Sequence, residues 1–184
     1  MLDVRPLRLD GVFEIRPARI DDSRGFFSEV WNAERMAEAG LDIEFVQDNH
    51  SLSVAKGVLR GLHYQMPPAA QHKLIRVSRG SVFDVAVDIR RDSGTFGQWA
   101  GAILSAELWN QMLVPPGFAH GFLTLEERSE VQYKVSAPYR ADLDRAIRFD
   151  DPAIGIAWPI PADEIQLSDK DRNAPLLAAV ETGF

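Results

Sequence analysis

Apolar and polar residues alternate with a period of two through FDVAVDI: Phe83, Val85, Val87 and Ile89 project one way, Asp84, Ala86 and Asp88 the other. This predicts a strand with one apolar face. Comparable runs recur at VLRGLHYQ, KLIRVS, QWAGAILS, QMLVP, GFLTL and VQYKVS. Turn residues separate them at Pro67-Pro68, Arg79-Gly80, Asp92-Ser93-Gly94, Pro115-Pro116-Gly117 and from Glu126 to Ser129. Many short strands broken by turns predict a mainly β sandwich or jelly roll. WNAERMAEAGL departs from the pattern and predicts one short helix, with Asn32 as N-cap, Glu34 in the first turn and Gly40 past the end. A second helical turn is expected at SDKD. No repeat, low-complexity tract or linker divides the chain. One domain is therefore expected over residues 1–184, with an N-terminal arm and a C-terminal segment that wraps the barrel.

Composition narrows the chemistry. The chain has 184 residues, 46% apolar and 26% charged, which suits a globular domain with a substantial core and excludes a disordered one. It has no cysteine, which removes disulfides, thiolate nucleophiles and Cys-based zinc or iron–sulfur sites. A net charge of −7 argues against a nucleic-acid surface but leaves room for a small cationic pocket. The opening stretch MLDVRPLRLDGVFEIRP has no apolar core of signal-peptide length, and nowhere do 18 apolar residues run together. A cytoplasmic protein that does not enter membranes is expected.

The stretch GVLRGLHYQMPPAAQHKLIRVSRG, Gly57 to Gly80, raises the question of a metal site. Five residues separate Gly57 from His63, six separate Lys73 from Gly80, and Pro115 to His120 supplies a later Pro-x-Gly-x-x-His-like segment. This frame resembles that of the cupins, small jelly-roll barrels. The second histidine position of the cupin metal motif holds Gln65, however, and the glutamate position holds Lys73. An ammonium places positive charge where the cation would sit, so no metal is expected. Without one, His63, Lys73 and His120 are expected to point from adjacent strands into a common interior. A neutral histidine can accept a proton near neutral pH, and a lysine can stabilise a developing oxyanion. Together they suit removal of a proton from carbon beside a carbonyl. The plainer alternative is that His63 is a structural strand histidine.

Seven blocks occur in order between about Phe13 and Leu177: FVQDNHS, GVLRGLHYQ, QHKLIRV, VFDVAVDIR followed by TFGQW, PPGFAHGFLTL, VQYK and LSDKD. They resemble the blocks of the dTDP-4-dehydrorhamnose 3,5-epimerase family, metal-free enzymes of cupin type. The resemblance implies a cupin-like jelly-roll barrel, a homodimer and no cofactor. It also implies epimerisation of dTDP-4-dehydro-6-deoxy-D-glucose at C3 and C5 to dTDP-4-dehydro-L-rhamnose, in dTDP-L-rhamnose biosynthesis. In that reading His63 is the base, Asp171 orients it, Tyr133 is the acid on the opposite face and Lys73 stands beside the enolate oxygen. The family's dTDP-sugar positions correspond to Arg24, Phe27, Glu29, Gln47, Asp48, Asn49, Arg60, Lys73, His120, Asp144 and Lys170.

Several of these residues have plainer readings. Asp171 fits a capping-box-like S-x-x-D with Ser168, Tyr133 fits a half-buried strand tyrosine, and Arg24 fits a solvated loop charge. Asp144 stands where the family usually has a glutamate, which shortens its reach by one methylene. Alternation places Asp84 on the polar face of its strand, with Lys73 or His120 as a partner. His50, expected in a substrate loop, and His72, expected to face away from Lys73, receive no role. The rival functions are an epimerase of C3 or C5 alone, a metal-dependent cupin enzyme and a non-catalytic sugar-binding jelly roll.

Overall fold

The computed structural model describes residues 2–184. Thirteen strands follow in chain order: β1 (Asp3–Pro6), β2 (Phe13–Arg16), β3 (Ile20–Asp22), β4 (Gly25–Phe27), β5 (Gln47–Ser53), β6 (Leu59–Gln65), β7 (Lys73–Arg79), β8 (Ser81–Asp88), β9 (Trp99–Ser105), β10 (Gln111–Val114), β11 (Phe118–Thr124), β12 (Ser129–Val135) and β13 (Asp144–Ala146). Helix α1 (Ala33–Glu38) lies between β4 and β5, and α2 (Asp169–Arg172) follows β13. A six-stranded sheet runs β1-β2-β10-β7-β12-β5, and a five-stranded sheet runs β13-β6-β11-β8-β9. Neighbours pair antiparallel throughout both sheets, and β3 and β4 form a separate hairpin. The expected mainly β jelly roll is what forms. No helix among the described residues is long and apolar enough to cross a membrane.

Both helices arise where cap chemistry placed them. The Asn32 side chain accepts the Arg35 amide at the start of α1, and Gly40 takes φ +80° just beyond its end, where a Cβ would be strained. Ser168 caps α2 by accepting the Asp171 amide at 3.1 Å. Strands β1 to β5 and β13 were not foreseen. Their runs are short, and β5 (QDNHSLS) is polar at nearly every position. His50 therefore sits on a strand rather than in a loop, with its Nε2 3.2 Å from Glu130 Oε2.

The core has several layers. Val12, Ile75, Val77, Val82, Ala86, Leu104, Met112 and Val131 fill the space between the sheets. Met36 and Leu41 of the α1 region pack with Ile15, Leu74 and Leu113 of the large sheet. Outside the small sheet, Leu62, Val85, Val87 and Ile89 meet Ile147, Ile154 and Leu177 of the C-terminal segment. Each Val, Leu, Ile or Met side chain among them contributes about 1.5–3 kcal/mol when removed from water. The β8 strand is consequently buried on both faces. Its apolar face is covered by the C-terminal segment, while the face carrying Asp84 looks into the barrel, where Asp84 has no exposure.

One irregularity positions the site. Between β6 and β11, Arg60 stands opposite Phe122 while His63 stands opposite His120, so β6 spends one residue more than its partner. This bulge centres on Gly61, at φ +140°, whose backbone presses on Gly121; a Cβ there would come within 2.5 Å of the Gly121 Cα. An extra residue in one strand re-aims the side chains on either side of it. Arg60 and His63, three positions apart and so on opposite faces of a regular strand, both line the same cavity.

Candidate active site

The cavity lies between the sheets and measures about 520 Å³, within the range of small-molecule sites. Arg60 and His63 of β6 and His120 of β11 line it from the small sheet, and Tyr133 of β12 lines it from the large sheet. Lys170 and Asp171 enter from α2. Lys73 comes from β7 in the large sheet, so it does not stand on a strand adjacent to that of His63, as the cupin-like frame had suggested, and it is not among the residues lining the cavity. It crosses the barrel, and its Nζ donates to the His63 carbonyl at 3.2 Å.

His63 and Asp171 form a close pair, with Nε2 2.5 Å from Oδ1. The Asp171 side chain is nearly inaccessible, whereas His63 keeps 30% exposure toward the cavity. Its second oxygen accepts the Ser168 hydroxyl at 2.9 Å. Burial pushes the Asp171 carboxyl upward, but hydrogen bonds from His63 and Ser168 and the charge of Lys170 outweigh it and hold the group below the ordinary range. A carboxylate on Nε2 fixes the hydrogen there and leaves Nδ1 with its lone pair. The capping and orienting readings of Asp171 hold together, because its amide serves the cap while its carboxylate serves His63.

Tyr133 is half-buried against the barrel core. Burial raises its phenol above the usual value, with Asp144 adding to the rise and Arg60 opposing it, so the hydroxyl is protonated at neutral pH. Lys73 is pushed down to about 8 by burial, against the upward pull of Asp144 and Asp84, while Lys170 adds repulsion. It is still mainly cationic at pH 7. Asp84 accepts His120 Nε2 with both oxygens, at 2.9 and 3.0 Å, so His120 rather than Lys73 is its hydrogen-bond partner.

Arg60 has only long contacts, to Ser53 Oγ and the Leu52 carbonyl, each 3.4 Å. It forms no ion pair among the described residues, which leaves its guanidinium free to hold an anion with paired hydrogen bonds. The sequence reasoning missed Ser51, Phe122 and Gln166, which also line the cavity. Ser51 follows Gln47 and Asn49 at intervals of two on β5, a signal legible only once that segment is known to be a strand.

Other expected residues lie elsewhere. Asp48 and Asn49 border a second hollow of about 260 Å³ beside Trp31 and Lys134, which Tyr133 also borders. Gln47 bridges Asn49 Oδ1 and the Tyr139 amide. Arg24, Phe27 and Glu29 do not reach the cavity of their own chain: Arg24 pairs with Asp22 at the turn of the β3–β4 hairpin, Phe27 is 68% exposed, and Glu29 pairs with Arg35. Asp144 is occupied by Lys170 and by the Tyr139 hydroxyl.

Gln65 and Lys73, the residues in the cupin ligand positions, are otherwise engaged. Gln65 donates to the carbonyls of Ala69 and Pro138 and accepts the Arg140 amide, clamping two loops. No group of three or more His, Cys, Asp or Glu side chains placed to hold a metal occurs among the described residues.

Residues 6–179 match the family described as dTDP-4-dehydrorhamnose 3,5-epimerase. The enzyme of that name from Sinorhizobium fredii is 49% identical over 170 residues, covering 92% of this chain and 87% of the relative. The crystal structure of dTDP-6-deoxy-D-glucose-3,5-epimerase from Legionella pneumophila, in complex with dTDP-4-keto-L-rhamnose, superposes with a TM-score of 0.94 at 44% identity, over 98% of this chain and 95% of that one. A 3′-monoepimerase from Streptomyces bikiniensis, in complex with dTDP-quinovose, gives 0.87 at 36% identity, over 95% and 87%. With a paired histidine and carboxylate facing a protonated tyrosine in this barrel, and with matches of this length and identity, the chain belongs to the dTDP-4-dehydrorhamnose 3,5-epimerase family.

Proposed function

We propose that the protein inverts C3 and C5 of dTDP-4-dehydro-6-deoxy-D-glucose to give dTDP-4-dehydro-L-rhamnose. The observation that carries this reading is the His63–Asp171 pair on one wall of the cavity with Tyr133 on the other. His63 Nδ1 takes the proton from the carbon beside the C4 carbonyl, and the C–H electron pair passes to the C4 oxygen. Lys73 offsets the enolate charge in a site removed from water, where a fixed cation acts most strongly. Tyr133 then protonates the same carbon from the opposite face, and both side chains recover their starting protonation from solvent. C3 and C5 both flank C4, so one electrophile serves both inversions. The chemistry asks for no redox cofactor.

Arg60 and His120, with Lys170 at the mouth, suit the diphosphate. The identity to double epimerases exceeds that to the 3′-monoepimerase, which supports inversion at both carbons. Turnover of the 4-keto-6-deoxyglucose nucleotide in deuterium oxide, followed by NMR, is expected to place deuterium at C3 and C5 of an L-configured product. Label at C3 alone would replace this reading with that of a monoepimerase, and no exchange at either carbon would leave a binding protein.

The same reading extends to a homodimer. Arg24 stands at the turn of an exposed hairpin, Glu29 just beyond it, and Ile20 and Phe27 are exposed at its open end; an exposed apolar edge together with an arginine suits the site of a second copy. Sedimentation equilibrium is expected to return twice the chain mass, and deleting residues 20–27 to weaken dTDP binding; a monomer with unchanged affinity would refute the assignment.

A further inference from the structure

We propose that Ser168 is a positioning residue for the proton transfer: its hydroxyl turns the Asp171 carboxylate toward His63 and holds it there. The inference rests on the proposed function in requiring His63 as the base.

The fastening begins upstream of α2. Gln166 bridges in parallel to Val58: its amide donates to the Gly57 carbonyl at 2.8 Å, and its carbonyl accepts the Leu59 amide at 2.9 Å. Leu167 packs against the cluster that holds Leu59 and Leu123. Ser168 therefore enters α2 from a segment tied to the head of β6, the strand that carries His63. Helix α2 is a single turn with Ser168 as N-cap and Asp171 at the third helical position. In an ordinary capping box the acidic side chain at that position reaches back to the amide of the cap residue. Here both Asp171 oxygens are engaged elsewhere, Oδ1 with His63 Nε2 at 2.5 Å and Oδ2 with the Ser168 hydroxyl at 2.9 Å. The same hydroxyl oxygen accepts the Asp171 amide at 3.1 Å. One serine thus grips Asp171 at backbone and side chain, and its single hydroxyl hydrogen is directed at the carboxylate.

Fixing one oxygen of a carboxylate fixes where the other points. Asp171 is the only side-chain hydrogen-bond partner of the His63 ring among the described residues, so the ring takes its orientation from that carboxylate. Without the Ser168 hydroxyl, Asp171 is free to swing back to the cap amide, which closes the ordinary box and releases His63. Asp171 is 3% exposed, whereas Ser168 is exposed at the cavity edge. Water can take the place of the lost hydroxyl at Oδ2, but it is not tethered to the chain and sets no direction for the carboxylate.

The test compares Ser168→Gly, Ser168→Thr and Ser168→Ala with the wild type by kcat, KM, calorimetric dTDP affinity, melting temperature and proton NMR of the His63 ring. Glycine and threonine cap helices about equally well and alanine poorly, yet of the three only threonine brings a hydroxyl. A misplacement of about 1 Å costs about 10²-fold in rate, and with water as a partial substitute kcat is expected to fall about tenfold in Ser168→Gly and Ser168→Ala. KM and dTDP affinity should stay within about twofold, the split expected when only the reacting geometry is lost. Ser168→Thr is expected to restore kcat. The downfield resonance of the hydrogen between His63 Nε2 and Asp171 should shift or broaden in the glycine and alanine variants and return in the threonine variant. A capping role alone would order activity by melting temperature, with the glycine and threonine variants alike and the alanine variant lowest. That ordering, an unmoved resonance in Ser168→Gly, or a tenfold loss of its dTDP affinity would overturn the proposal, the last by making Ser168 a ligand contact. His63→Ala separates the two levels: wild-type turnover in that variant would defeat the proposed base itself, whereas its inactivity beside a fully active Ser168→Gly defeats only the role of Ser168.

Discussion

His63→Ala is expected to lower kcat by about 10³-fold and to abolish deuterium incorporation at both C3 and C5, because a positioned general base is worth about 10²–10⁴-fold. The effect should fall on kcat more than on dTDP affinity, since Arg60, His120 and Lys170 remain in place to hold the anion. His63 also accepts Lys73 through its backbone carbonyl, a contact that the substitution keeps. The side chain it loses is the one bonded to Asp171, which leaves a buried carboxylate without its main partner. His63→Asn fills part of that space and offers an amide donor to Asp171, so it serves as the folding control. A His63→Ala enzyme retaining more than a tenth of wild-type turnover, with wild-type exchange, would remove His63 from the role of base.

Tyr133→Phe is expected to separate exchange from inversion. The substitution removes one oxygen from a side chain packed against the barrel core and leaves His63, Asp171 and Lys73 untouched. His63 still removes the proton, but the enolate meets no donor on the far face, so the proton returns from the side it left. Substrate recovered from deuterium oxide should carry label at C3 or C5 with unchanged configuration, while epimerised product falls by about 10²–10³-fold, the scale of one general acid. The raised pKa of the phenol gives this acid a wide working range, because it holds its proton well above neutral pH. Wild-type epimerisation by Tyr133→Phe would mean that another group or solvent is the acid, and the opposed-wall arrangement would lose its meaning.

The strand runs, both helices with their caps, and the replacement of the cupin ligands by Gln65 and Lys73 were all legible in the sequence, because each depends on neighbours within a few positions. An N-cap is a bond to the third residue on, a strand shows itself by a period of two, and a lysine brings its charge wherever the chain runs. His63 and Lys73 drew attention as residue types whose acid–base or electrostatic capacity is intrinsic, whereas the roles of Tyr133 and Asp171 came only from the family resemblance, since by local pattern they read as a strand tyrosine and a helix cap. The polar β5 strand was not legible, because its ladder partner β12 lies some 80 residues away and nothing local marks it.

Only the tertiary structure decided which faces meet. Alternation in FDVAVDI correctly separated two faces, yet it could not show that the apolar one is covered by the C-terminal segment or that Asp84 is turned inward to His120. The extra residue at Gly61 brings Arg60 and His63 to one cavity against the period of the strand, a consequence of backbone meeting backbone at Gly121. The His63–Asp171 bond spans 108 positions, and Asp144 meets Lys170 across 26. Sequence determined what each group is able to do with a proton or a charge; distance, burial and pairing, which set how strongly it does so, came into being only when remote strands closed around the same space.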